Sequence, residues 1–289
     1  MLSTELANSG VRLPEIGFGT WNYLGGIQPL RAAIECGPRL IDTAESYGTE
    51  EIVGEAIKGR RHQVFLATKV LPRNFSRRDL IAAAERSLRR LGTDHIDLYQ
   101  LHWPNLAIPI EEPMRGMEEL VDAGKVRFIG VSNFSVRDLI KAQAALSKQR
   151  IVANQVRYSL VERTIEGGLL QYCQKNGITV IAYSPLANGL GNIRAADPEG
   201  VLPEVAEACS KSPAQVALNW CINKERVIAI PKASSVEHVV ENVEASGWKL
   251  RPDLARLLED RIRYRRRGAI EIGARRAVRW GMQKIGHWV

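Results

Sequence analysis

A chain of 289 residues with 45% hydrophobic content has enough apolar material for one large core, and α/β barrels reach this length as single domains. The opening MLSTELANSG lacks the layout of a signal peptide, and no run approaches the ~18 apolar residues of a membrane span, so a cytoplasmic protein is expected. The net charge of +8 is concentrated in residues 260–289, where nine Lys/Arg face only Asp260 and Glu271, and the nearly neutral remainder carries no nucleic-acid-binding module or basic face.

The first strand is predicted over 14–21, where Gly17 and Gly19 would let the backbone turn tightly beside a ligand. From residue 37 onward, short β-branched runs alternate with longer stretches of helical period, the pattern of βα units around a parallel sheet. Runs at 39–41, 64–67, 96–99, 126–129, 151–153, 178–181 and 227–230 supply seven more strands. Between them, Ser76-x-x-Asp79 caps a helix whose Leu80, Ala84, Leu88 and Leu91 share a face, and Gly92 stops it. Ser135-x-x-Asp138 repeats the device, Ser212 precedes a first-turn Pro213, and Ser234-x-x-Glu237 caps the helix after the last strand. Eight strands and eight crossovers predict a (β/α)8 TIM barrel forming one domain over residues 1–250, followed by a basic extension over 251–289. The competing doubly wound sheet would show G-x-G-x-x-G, but Gly17-Phe18-Gly19 is followed by Thr20-Trp21-Asn22 and no helix-opening glycine.

Barrel active sites are built at the C-terminal ends of the strands. Asp42 follows the second strand, with Tyr47 in its loop; Lys69 ends the third; His102 ends the fourth. Together they form a coherent proton-delivery device. A tyrosine titrates near ~10 and is a poor acid at neutral pH unless a cation stabilises its phenolate. Lys69 can supply that cation, Asp42 can keep it charged and oriented, and His102 can hydrogen-bond a substrate oxygen. Cys36, Cys173, Cys209 and Cys221 have neither disulfide-framework nor zinc spacing, so no metal is expected.

The segments Gly17-Phe18-Gly19-Thr20-Trp21, Asp42-Thr43-Ala44-Glu45-Ser46-Tyr47-Gly48, Ala67-Thr68-Lys69, Leu101-His102-Trp103-Pro104, Gly130-Val131-Ser132-Asn133-Phe134 and Ile230-Pro231-Lys232 occur in this order. In this respect the chain resembles the aldo-keto reductases, with the compact loops of bacterial and archaeal members. The resemblance implies a catalytic tetrad of Asp42, Tyr47, Lys69 and His102 that reduces aldehydes or ketones by hydride transfer from NAD(P)H, with Tyr47 as the general acid. It implies that Thr20 and Trp21 border the cofactor, that Ser132, Asn133 and Gln155 bind the nicotinamide carboxamide, and that Tyr183 stacks on the ring. Ser184, Leu186 and Asn188 match the loop over the pyrophosphate, and Glu241 and Asn242 match residues around the adenine. Trp21, Tyr47, His102 and Trp103 would line the substrate mouth.

The phosphate end also has an argument of its own: a helix capped at Ser234 directs free N–H groups and a positive dipole outward, and Lys232 adds a full charge. NADP-selective members usually carry arginine where His238 stands, and histidine offers no permanent bidentate charge. NADPH is still the expected cofactor because Lys232 and Ser234 are retained, with NADH also admitted. A Schiff-base barrel enzyme using Lys69 or Lys232 leaves Tyr47 and Tyr183 unexplained, and a non-catalytic relative like the potassium-channel β subunits leaves the complete tetrad unexplained. The tail has three readings: a partial lid over the substrate pocket that brings Trp280 or Trp288 near it, a membrane-surface or subunit contact, and a mobile tail. Its Ile270, Ala274, Ala277, Val278, Ile285 and Trp288 roughly share a helical face, against which Gly268, Gly273, Gly281 and Gly286 act as weak helix formers. A monomer is expected.

Overall fold

The computed structural model describes residues 1–37 and 39–284, without the side chains of Ala269, Arg276, Arg279, Trp280 and Lys284. Two short antiparallel strands, β1 (Ser3–Glu5) and β2 (Arg12–Pro14), precede eight parallel ones. These are β3 (Phe18–Gly19), β4 (Leu40–Asp42), β5 (Phe65–Val70), β6 (Ile96–Leu101), β7 (Val126–Ser132), β8 (Ile151–Arg157), β9 (Thr179–Tyr183) and β10 (Val227–Ile230). They pair in sequence order from β3 to β10. The sheet then closes on itself: Gly17 N donates to Ala229 O at 2.8 Å, Gly19 N to Pro231 O at 3.1 Å, and Ala229 N to Glu15 O at 2.9 Å. The result is the expected (β/α)8 barrel.

The two glycines of the first strand serve this seam and do not make a tight turn beside a ligand. A Cβ on Gly19 would stand 2.8 Å from Ile230 O, and one on Gly17 would stand 3.0 Å from both Ile230 and Leu40, while neither glycine has a positive φ. The sequence signal was backbone freedom; the physical need is close strand approach.

Helices α1 (Ile27–Cys36), α2 (Glu50–Ile57), α3 (Arg77–Leu91), α4 (Glu111–Asp122), α5 (Val136–Ala144) and α6 (Leu169–Lys175) each fill one crossover. Three helices, α7 (Leu190–Ala196), α8 (Val201–Ala208) and α9 (Pro213–Ile222), fill the crossover from β9 to β10. The Ser76, Ser135 and Ser212 hydroxyls accept from the backbone N–H three residues on, and Gly92 takes the left-handed conformation (φ 61°) that ends α3. After β10 comes α10 (Val236–Val243), whose cap is Ser235, accepting from His238 N, and not Ser234. Only Ser234 has an acid three residues on, but the chain leaving β10 extends one residue further before it turns, and the cap falls on Ser235 with His238 at the third position.

Strand alternation sorts the side chains into two cores. Outward residues such as Ile41, Leu66 and Val131 pack against the helices. Inward residues Leu40, Phe65, Leu98, Ile181 and Ile228 fill the lower barrel, sealed at its N-terminal end by Leu6, Ala7 and Leu13 of the hairpin.

Helix α11 (Pro252–Arg261) lies on the barrel wall: Leu258 is buried, and Glu259 accepts from Trp220 Nε1 at 3.0 Å and from Lys224 Nζ at 2.6 Å. The chain then crosses the β8 loop, with Arg163 N donating to Arg265 O and Arg265 N to Val161 O, both at 2.9 Å. The last helix, α12 (Ala269–Lys284), runs unbroken through Gly273 and Gly281. Ile285, Trp288 and the Trp280 side chain, which the tail readings invoked, lie outside the described residues. No described helix is long and apolar enough to cross a membrane.

Candidate active site

Two residues beyond its apolar layer, the barrel interior turns polar. Leu40 is followed by Asp42, Ala67 by Lys69, Leu98 by Gln100 and Ala153 by Gln155, and a strand period of two aims each pair at the same axis. All four residues are at most 2% exposed. Such groups persist in a core only when their charges and hydrogen bonds are matched.

They are matched mainly by one another. Lys69 Nζ donates to Asp42 Oδ1 at 2.5 Å, to Thr43 O at 2.9 Å and to the Tyr47 hydroxyl at 3.3 Å, which uses its three hydrogens. Asp42 Oδ2 accepts from Gln155 Nε2 at 2.7 Å and from Gln100 Nε2 at 3.2 Å. On the other side of the phenol, His102 Nε2 lies 3.4 Å from the Tyr47 oxygen. The structure therefore brings Asp42, Tyr47, Lys69 and His102 into one contiguous group at the mouth.

Burial works most strongly against the Lys69 ammonium, but the charge of Asp42, that of Tyr47 and the hydrogen bonds to both together outweigh it and hold the lysine above its ordinary range. Burial raises the Tyr47 phenol, Lys69 pulls it back, and the net shift is upward, so the hydroxyl keeps its proton at neutral pH. Burial, then the charge of Lys69, pushes the His102 imidazole down to about 3, which leaves it neutral. A lysine held charged is a poor Schiff-base nucleophile, which needs the free amine. The arrangement favours a protonated tyrosine between a fixed cation and a neutral imidazole.

A second polar cluster adjoins this one. Ser132 Oγ donates to Gln155 O at 2.9 Å, Asn133 Nδ2 to Ser132 Oγ at 2.9 Å and to His102 O at 3.2 Å, and Tyr183 OH to Asn133 Oδ1 at 3.0 Å. Asn133 holds φ 63°, and the loop after β9 places Ser184, Ala187 and Asn188 at φ 50°, 56° and 65°. Positive φ in non-glycine residues costs of order 1 kcal/mol each and gathers where a ligand needs a particular backbone shape. Leu186 is half-buried in that loop.

Across the mouth, Lys232, Ser234 and His238 are exposed around the start of α10, and Lys232 Nζ donates to Asn22 O at 2.9 Å. Glu241 accepts from Ser212 Oγ at 2.6 Å, and Asn242 is buried beside it. Trp21 is 51% exposed on the rim, whereas the Thr20 hydroxyl is fully buried, bonded to Asp42 O and Thr49 Oγ1, and is not brought to the mouth. Trp103 is half-buried directly after His102. Two residues escaped the sequence reading. Gln100 was legible as a glutamine inside the otherwise apolar end of β6, at the same parity as His102. Gln283 of α12 gave no such signal; its amide donates to Pro104 O at 3.0 Å and accepts from Leu106 N at 3.2 Å, fastening the tail beside the His102 loop.

A (β/α)8 barrel with a lysine-supported tyrosine at its C-terminal mouth defines a class of carbonyl-reducing oxidoreductases. A profile of the aldo/keto reductase family matches residues 15–260. Methylglyoxal reductase YeaE of Escherichia coli is 44% identical over 244 residues, covering 80% of this chain and 85% of that protein. The crystal structure of the thermostable aldo-keto reductase Tm1743 with the inhibitor epalrestat superposes with a TM-score of 0.85 at 41% identity, covering 90% of this chain and 99% of that one. An aldo-keto reductase of Klebsiella pneumoniae in complex with NADPH gives 0.82 at 38% identity, covering 91% and 99%. The chain belongs to the aldo/keto reductase family.

Proposed function

We propose that this chain reduces small aldehydes and ketones with NADPH, Tyr47 being the acid that protonates the nascent alkoxide. One observation carries the reading: Lys69 Nζ is shared between Asp42 and the Tyr47 hydroxyl, with His102 Nε2 on the phenol's other flank. The neutral imidazole donates a hydrogen bond to the carbonyl oxygen and so polarises it and holds it against the phenol. As the tyrosine gives up its proton, the ammonium beside it stabilises the phenolate.

The residues present fit a nicotinamide dinucleotide, which when bound supplies a hydride to the carbonyl carbon. Gln155 Oε1 accepts no hydrogen bond from the described residues, and Tyr183 is tethered at the mouth beside it. Ser132, Asn133 and Gln155 hold the carboxamide, with Tyr183 against the ring and Trp21 at its edge. The Ser184–Leu186–Asn188 backbone wraps the pyrophosphate, and Lys232, Ser234 and His238 surround the 2′-phosphate, with Glu241 and Asn242 towards the adenine. Thr20 acts from behind, through the loop it anchors. NADH enters the same site with less grip on its ribose.

Trp21, Trp103, Tyr47 and His102 frame a mouth suited to compact carbonyls, in keeping with the methylglyoxal reductase to which the chain is similar. Helix α12, whose Gln283 donates to Pro104 O, serves as a partial lid for this mouth. A monomer suffices for this site, and four free cysteines support a cytoplasmic location. The test follows NADPH absorbance with methylglyoxal and a panel of neutral aldehydes. Steady substrate-dependent oxidation is expected, and its absence across the panel would refute the reading.

A further inference from the structure

Gln100 has no role in the chemistry above, yet it lies fully buried on the barrel axis, two residues before His102. Across from it on β7, a methyl group on Gly130 would stand 2.9 Å from its Cγ, so the glycine leaves room for this side chain in one place. Its Nε2 donates to Asp42 Oδ2 at 3.2 Å, and its Oε1 accepts from Gln155 Nε2 at 3.3 Å. Gln155 Nε2 donates at the same time to Asp42 Oδ2 at 2.7 Å.

Chemistry decides which end of each amide faces the carboxylate. A carboxylate only accepts, so Gln100 and Gln155 must both turn their NH2 groups towards Asp42. Gln155 then has two hydrogens and two takers, Asp42 and Gln100. Its donor capacity is exhausted, and only its oxygen is left for a ligand.

We propose that Gln100 is a positioning residue that locks the Gln155 amide with its oxygen towards the cofactor site, so that the site selects a ring substituent that donates an N–H. Of the groups at the 3-position of a pyridine nucleotide, the carboxamide meets that demand and an acetyl group does not. This rests on the placement of Gln155 at the carboxamide given above. Removing the Gln100 acceptor frees one Gln155 hydrogen and lets the amide present a donor instead.

The test compares Kd for NADP+ with Kd for its 3-acetylpyridine analogue, in which the amide NH2 is replaced by methyl, by quenching of tryptophan fluorescence. The native protein is expected to favour NADP+ by about tenfold, the size of one well-placed hydrogen bond. Gln100→Met, similar in volume, is expected to narrow the ratio to about twofold. Gln100→Glu is expected to retain the native ratio, because its carboxyl oxygen still accepts from Gln155 Nε2 and keeps both amide hydrogens engaged. A native ratio in Gln100→Met, or no preference in the native protein, overturns the proposal while leaving the reductase reading intact. Failure of the native protein to bind either nucleotide overturns both.

Discussion

The Lys69 ammonium lies 3.3 Å from the Tyr47 hydroxyl and 4.7 Å from the centre of its ring, so that the acid and the cation that supports it form one buried unit. Replacing the lysine should therefore change the tyrosine's acidity as well as its position. In Lys69→Met the phenol loses the charge that lowers its pKa. Reduction needs the protonated phenol, so activity is present below that pKa and lost as pH rises through it. The variant's basic limb should move to higher pH, and its neutral-pH kcat should fall at least about tenfold. The lost partner also leaves Asp42 buried without its countercharge, at about 3–5 kcal/mol of stability. A pH–kcat profile on folded protein with unchanged limbs would contradict the coupling.

His102 is neutral through the physiological range because burial, aided by the Lys69 charge, pushes it down to about 3. Its folded pKa lies below the unfolded value of about 6.5, so the unfolded chain binds the extra proton first. The contribution of His102 to stability is therefore complete above that value and declines as pH falls towards about 3. By NMR, the imidazole should show no titration between about pH 5 and about pH 8. A midpoint inside that window would place a counterion beside the ring.

His238 faces solvent near the start of α10. His238→Arg gives a 2′-phosphate a permanent guanidinium partner, and NADPH affinity should rise about fivefold with NADH unchanged. Equal gains for both would place the residue away from the 2′-phosphate.

The tail reading is tested best by a cut after Gly268. An earlier cut, after Asp260, would also remove buried Ile262 and the backbone hydrogen bonds of Arg263 and Arg265, confusing stability with function. Loss of α12 should alter KM and substrate preference several-fold while leaving NADPH Kd nearly constant. Unchanged kinetics with lost binding to anionic vesicles would make the helix a membrane contact instead, and a change in assembly size alone would make it a subunit contact.

Strand order, barrel class and the polar strand ends were legible because period-two alternation and serine caps are local signals. Ser235 replaced Ser234 as the α10 cap although only Ser234 has an acid three residues on, because the turn after β10 decides between two adjacent hydroxyls. Gly17 and Gly19 were legible as glycines, but their purpose depends on β10, more than 200 residues away in sequence. The Gln100–Gln155–Asp42 amide network was not legible for the same reason: three strands must close before its members meet.

The central claim, that Tyr47 delivers the proton, is tested most directly by Tyr47→Phe, which removes one hydroxyl and little volume. Steady-state reduction of methylglyoxal and fluorescence titration with NADPH should be measured on the same preparation. The account predicts a kcat at least about a hundredfold lower, the contribution of a general acid, with NADPH Kd nearly unchanged. Turnover within a few-fold of the native protein would contradict it and move the acid to another group.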